Sequence, residues 1–235
     1  MPTRPARARA AGGSARVRRV DAEFGPRIRA RREEGGISLR ELARRLGISP
    51  SAISQIETGK SRPSVSTLYA IVNELGMSLD ELFSGQNQQQ ADPWAAAEEE
   101  PKPVPKGRAT KRHVQRASTR TALELETGVR WERLTPQADP DADFLYVVYD
   151  VGGSSSQGGQ AIRHSGREYG LVLSGTLQVT VGFDVYELGP GDSISFDSTV
   201  PHCLRTVGAE PVHGVWFVVG RQGDRRAHDF EDQPG

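Results

Sequence analysis

The feature that most constrains the fold is a sharp turn, Gly47 to Pro50, between two short amphipathic stretches. In the first stretch Leu39, Leu42, Ala43 and Leu46 recur at helical spacing and leave Arg40, Arg44 and Arg45 on the outer faces. Ser38 is a good N-cap, and Glu41 three residues later completes a capping box. Gly47 ends this helix, because a left-handed residue after a helix is tolerated without strain by Gly. Ser49 caps the second helix and Pro50 suits its first position. Ile53 and Ile56 anchor that helix, while Ser51, Ala52, Ser54 and Gln55 give it a small, hydrogen-bonding face. Such a face suits a DNA major groove, where Gln pairs with adenine, Ser serves either base and Ala touches a thymine methyl. Lys60 and Arg62 follow, placed for phosphates that fix register without specifying sequence.

Phe24 and Ile28 begin a preceding helix, Leu68, Ile71, Val72 and Leu75 form a stripe on a following one, and Ser78 with Glu81 is a further capping box before Leu79, Leu82 and Phe83. The spacing predicts five short helices over residues 21–84. This segment resembles the XRE family of helix-turn-helix proteins, which includes the phage repressors and Cro. The resemblance implies a lambda-repressor-like DNA-binding domain with DNA contacts from Arg40, Ser49, Ser51, Ala52, Ser54, Gln55, Lys60 and Arg62. Many members carry a Gln directly after the cap of the first motif helix. Leu39 stands there, so that phosphate contact is expected to be absent.

The zero net charge hides an uneven distribution. Residues 1–85 carry 15 Lys and Arg against 9 Asp and Glu, whereas residues 119–235 carry 9 against 17. A length of 235 residues suits two small domains. Residues 1–20, with six Arg before the first acid at Asp21, predict a disordered basic arm rather than a secretory signal. Residues 85–118, rich in Gln, Glu and Pro, predict a disordered linker, which speaks against a rigid lever between the halves. Residues 222–235 are expected to be a flexible tail. Cys203 is the only cysteine, so neither a disulfide framework nor a zinc finger is available. No apolar run suggests a membrane span, and a cytoplasmic protein, nucleoid-associated when bound to DNA, is expected.

From Phe144 onward the period changes. Phe144 to Val151, Tyr169 to Leu173, Leu177 to Val181, Val185 to Leu188, Ser193 to Phe196, Cys203 to Val207 and Val215 to Val219 are β-rich runs between Gly, Pro and Asp, as in a barrel or sandwich. The segments HSGREYGLVLSG, His164 to Gly175, and GPGDSISFDSTVPH, Gly189 to His202, resemble the two motifs of the cupin superfamily. The resemblance implies a double-stranded β-helix over residues 119–221, with His164, Glu168 and His202 as ligands of one divalent metal, Fe, Zn, Mn or Ni. Two imidazoles and a carboxylate suit such an ion; the alternative is that the three only line the cavity. Residues four apart on an extended strand lie roughly 13 Å apart, so His164 and Glu168 can meet only if the chain bends, and Gly166 is where it could. A further His of the fuller cupin pattern is replaced by Ile162. Alternation turns Cys203 away from His202 as a small packed residue. Tyr146, Tyr186, Arg205, His213 and Trp216 are further candidates for the cavity wall, and Gly152 to Gly159 reads as a mobile loop.

The two-domain α plus β chain is therefore expected to be a transcriptional regulator, not an enzyme. It would bind double-stranded operator DNA as a homodimer on half-sites roughly 34 Å apart, and sense a small-molecule effector in the cupin domain. The acidic barrel and Glu168 favour a cationic or amino-bearing ligand. The alternative is a mononuclear iron oxygenase, because a group of XRE-cupin enzymes that includes a phosphonate epoxidase uses a triad in the order of His164, Glu168 and His202.

Overall fold

The computed structural model describes residues 18–19, 24–83, 113–139 and 141–220. The remainder of the expected basic arm, linker and tail, with Trp94, lies outside the described residues.

Five helices form the first unit: α1 (Phe24–Glu34), α2 (Leu39–Leu46), α3 (Pro50–Glu57), α4 (Val65–Leu75) and α5 (Leu79–Phe83). Their ends follow the sequence. The amide of Glu41 donates to Ser38 Oγ at 3.1 Å and that of Ala52 to Ser49 Oγ at 3.1 Å, each satisfying a first-turn donor. Gly47 adopts φ 67°, and its N–H and that of Ile48 turn back onto the last carbonyls of α2. At Ser78 and Glu81 both arms of the capping box form. At Ser38 only the cap does, because Arg44 and Arg45 hold the Glu41 carboxylate. Leu42, Ile53, Leu68, Ile71 and Leu82 are fully buried at the centre. Beneath them lies a pair that hydrophobic spacing cannot reveal: Arg32 donates to both oxygens of buried Glu57, at 2.6 and 2.9 Å.

The second unit is built from two sheets. Strands β1 (Arg18–Arg19), β2 (Thr121–Leu125), β3 (Val129–Arg133), β4 (Ala142–Tyr149), β10 (Val212–Val219), β5 (Arg167–Ser174) and β8 (Ser193–Asp197) form the larger sheet in that order. Strands β7 (Asp184–Leu188), β6 (Leu177–Val181) and β9 (His202–Thr206) form the smaller one. The result is a jelly roll of two sheets rather than a closed barrel. Alternation fixes the inner face: Glu168, Gly170 and Val172 of β5 face Val218, Trp216 and Gly214 of β10. No helix among the described residues is long and apolar enough to cross a membrane.

Three expectations are corrected. The basic arm is not wholly irregular, since Arg18 and Arg19 pair in parallel with Thr121 and Ala122 of β2. The end of the expected linker carries a 3-10 turn, Ala117–Thr119, closed by the Thr119 amide on the Arg116 carbonyl. The Gly152 to Gly159 segment is pinned. Ser155 and Ser156 are buried, the Ser155 amide and hydroxyl both engage Leu204, and all three serines from Ser154 to Ser156 surround the Cys203 thiol.

The two units also touch directly, which the linker alone did not suggest. The amide of Ser66 in α4 donates to the Ser155 carbonyl at 3.0 Å, and the amide of Glu126 after β2 donates to the Pro63 carbonyl at 3.0 Å.

Candidate metal centre and nucleic-acid interface

His164 precedes β5, Glu168 lies within it and His202 opens β9. Gly166, at φ 105°, bends the chain between the first two, and its carbonyl accepts from the Ser198 amide at 2.9 Å. The bend does what an extended strand could not: His164 Nε2 comes within 2.7 Å of Glu168 Oε1. His202 is brought to the same oxygen from the opposite sheet, with Nε2 at 3.1 Å, positioned by its backbone pairing with Ile162. All three side chains are buried and their ligand atoms lie within 4.8 Å of one another.

The outer nitrogens fix the protons. His164 Nδ1 lies 3.0 Å from the Ser165 carbonyl and His202 Nδ1 2.9 Å from the Val200 carbonyl. A carbonyl only accepts, so each Nδ1 carries a hydrogen and each Nε2 is the ring atom turned toward Glu168. Neither Nε2 has a partner other than the Glu168 carboxylate. Burial would raise the Glu168 pKa, but the facing imidazoles outweigh it and hold the group below the ordinary carboxylate range. Glu168 is further steadied by Trp216 Nε1, which donates to Oε2 at 2.6 Å, and by the Ser198 hydroxyl, which donates to Oε1 at 3.3 Å. Two imidazole nitrogens and a carboxylate oxygen thus converge in a buried space, where a cation can take the place of the hydrogens that the imidazoles otherwise share with Glu168. Ligands about 2.1 Å from one ion at right angles lie about 3 Å apart, which fits the two nitrogen–oxygen separations. The residues therefore fit a divalent metal held by two imidazoles and one carboxylate, with open positions for water or a small ligand.

Around the triad the wall is largely aromatic and aliphatic. Trp131, Leu145, Val147 and Tyr149 line it from β3 and β4, and Trp216 from β10. Burial and the Glu168 charge push the Tyr149 phenol well above its usual pKa, so it stays protonated. Of the five further wall candidates, Trp216 lines the cavity. Tyr146 instead meets His213 Nδ1 at 3.0 Å, Arg205 donates to Gln178, and Tyr186 is exposed. Tyr69 was missed altogether: it reaches the site from α4 and stacks on His164 at 4.4 Å. The signal for it was present, since Val65 and Tyr69 are apolar at i and i+4 yet Tyr69 stands beside the main stripe of α4.

Within the helical unit, α3 carries the other expected residues. Ser51 and Gln55 are exposed and Ala52 and Ser54 half-buried on its outer face, while Ile53 and Ile56 are buried beneath. The exit loop folds back, with the amides of Lys60 and Ser61 on the Gln55 carbonyl, so Lys60 and Arg62 emerge beside the helix end. Both are exposed, as are Arg40 and Ser49. Leu39 packs partly against the core.

Comparison with known proteins matches residues 28–82 to the helix-turn-helix family model HTH_3 and residues 145–218 to the cupin domain model Cupin_2. The chain joins a helix-turn-helix domain to a cupin domain. It is 26% identical over 185 residues to the HTH-type transcriptional regulator PuuR of Escherichia coli (strain K12), covering 79% of this chain and 88% of that protein. An uncharacterized transcriptional regulator in the ATPase CF(0) region of Rhodospirillum rubrum is 40% identical over 68 residues, 29% of this chain and 63% of that one. The crystal structure of an HTH_3 family transcriptional regulator from Vibrio cholerae superposes with a TM-score of 0.56 at 22% identity, over 85% of this chain and 96% of that one. That likeness extends the shared fold across both the helix-turn-helix and the cupin domain.

Proposed function

We propose that the protein is a transcriptional regulator that binds operator DNA through α3 and senses a small effector at a metal held in the cupin domain by His164, Glu168 and His202. The observation that carries the DNA assignment is the exposed polar face of α3, with Ser51 and Gln55 presented outward and Lys60 and Arg62 at its exit. In this scheme Ser51, Ala52, Ser54 and Gln55 read bases, while Arg40, Ser49, Lys60 and Arg62 meet phosphates. The relationship to PuuR supports the regulatory role. The cupin occupant is amino-bearing. An amine suits the site either as a neutral nitrogen ligand of the metal or as an ammonium against Glu168 and the aromatic wall. A single helix-turn-helix reads a short half-site, so the working species is a cytoplasmic homodimer.

Genomic DNA capture with the purified full chain identifies the operator, and anisotropy then tests the division of roles. Gln55→Ala is expected to cost about 1–3 kcal/mol at the cognate site alone, and Arg62→Ala to weaken every sequence similarly. Failure to retain any fragment at low salt would reject the assignment. The same triad chemistry also suits an iron oxygenase, and this second reading has its own discriminator. Sustained dioxygen uptake by the Fe(II)-loaded protein with an amine substrate would replace the sensor with an enzyme.

A further inference from the structure

Helix α4 belongs to two packing environments at once. Leu68, Ile71 and Val72 are completely buried within the helical domain. Val65 and Tyr69, on an adjoining edge of the same helix, line the cupin cavity. The Tyr69 ring lies nearly parallel to that of His164, at 18° and 4.4 Å, and tilts against Trp131 at 5.5 Å. Behind it the cavity leaves about 20 Å³ of free space, room for about one water molecule. A metal-bound water can be accommodated there. An effector of several heavy atoms cannot, unless a wall moves.

The walls differ in what it takes to move them. Trp131 and Trp216 stand on β3 and β10, and displacing either strand breaks a ladder of hydrogen bonds. Helix α4 is instead docked beside the triad through the Ser66–Ser155 backbone hydrogen bond, with the Glu126–Pro63 bond next to it. Its release costs the least backbone pairing.

We propose that the effector site is shared by the two domains, that Tyr69 is its lid, and that an occupant of the triad larger than water displaces Tyr69 and the helical domain with it. This rests on the metal-bearing triad proposed above. The occupant presents one metal-ligating atom and a flat or apolar face that takes the place of the phenol ring against His164 and Trp131. Because α4 is locked into the helical core, its displacement carries α3 along as a rigid body. Occupancy and DNA affinity are then linked in both directions.

Ser66 provides a reporter in the unmodified chain. It lies in the first turn of α4, where an amide has no acceptor within the helix, so its protection from hydrogen exchange depends on Ser155. The test loads the full-length protein with Co(II) and titrates imidazole as the probe, following the cobalt ligand-field bands and amide exchange by NMR. Imidazole that alters the bands is expected to speed exchange at Ser66 by about tenfold or more, leaving the Val179 amide in β6 unchanged. Unchanged Ser66 protection at saturating imidazole overturns the lid while leaving the metal site standing. Absence of cobalt bands removes the triad, and the proposal with it. Tyr69→Leu, which keeps apolar bulk in the helix, is a second arm. It is expected to bind imidazole about tenfold faster with cobalt affinity retained, and equal association rates would count against the lid.

Discussion

Gly170 and Trp216 face each other across β5 and β10, and a Cβ at residue 170 would overlap the indole ring. The indole holds Glu168 through its N–H, so the smallness of one residue sets the aim of the proposed metal ligand two positions away. Gly170→Ala is expected to displace the indole and weaken metal affinity by about 10–100-fold, the usual effect of losing a partner that orients a ligand. Competition with a chromophoric chelator measures it, and unaltered affinity would show that Glu168 is held without Trp216. Arg32 and Glu57 make a second residue-scale case. Both are buried, and Glu57→Gln removes the carboxylate that takes two of the guanidinium's hydrogen bonds, leaving the Ile37 carbonyl and Glu33 as its partners, so it is expected to cost about 1.5–3 kcal/mol in chemical denaturation. A loss below about 1 kcal/mol would mean that water or another group replaces the carboxylate.

At the scale of elements, α2 shows how charge supports a short helix. Hydrogen bonds from Arg44 and then Arg45 lower the Glu41 pKa to about 2. A depressed carboxyl contributes stability that is fully present above its unfolded pKa near 4.3 and lost as pH falls through the folded value. An NMR titration of the Glu41 carboxyl should therefore show a midpoint of about 2, moving upward in Arg44→Ala; a wild-type midpoint near 4.3 would mean the contact is absent in solution. The caps of α2, α3 and α5 were legible because Ser and Gly at fixed offsets answer a local need of the backbone. Strands β2 and β3 were not, because TALEL and VRWER mix Glu and Arg into their pattern. Glu132 and Arg133 are nevertheless buried, with Glu132 held by Arg120 and Arg130. The triad could be read because its spacing and Gly166 are local to two motifs. Tyr69 left only a second apolar edge on α4 as a trace, and its role was not legible, since its partner lies in the other domain and only tertiary packing brings them together.

For the whole molecule, the outer face of the larger sheet bears on assembly. Tyr169, Leu171 and Leu173 of β5 alternate outward and are exposed, and Phe217 of β10 and Phe144 of β4 continue the row through direct register. A contiguous apolar sheet face of this kind is commonly an interface, and the proposed two-fold operator supplies the reason for a second copy to cover it. Leu171→Glu is expected to shift sedimentation from dimer to monomer while the isolated fold, followed by circular dichroism, is retained. A dimer that survives this change would place the interface elsewhere.

Two of the three tryptophans of the chain, Trp131 and Trp216, stand in the cavity wall. Indole emission responds to nearby charge, and the Trp216 N–H points at the carboxylate that a cation would neutralise. Trp131 meets the ring of Tyr69, so its surroundings change when that ring departs. The protein thus carries two native fluorophores, one sensitive to charge at the triad and the other to closure of the cavity, and its filling can be followed optically without a label.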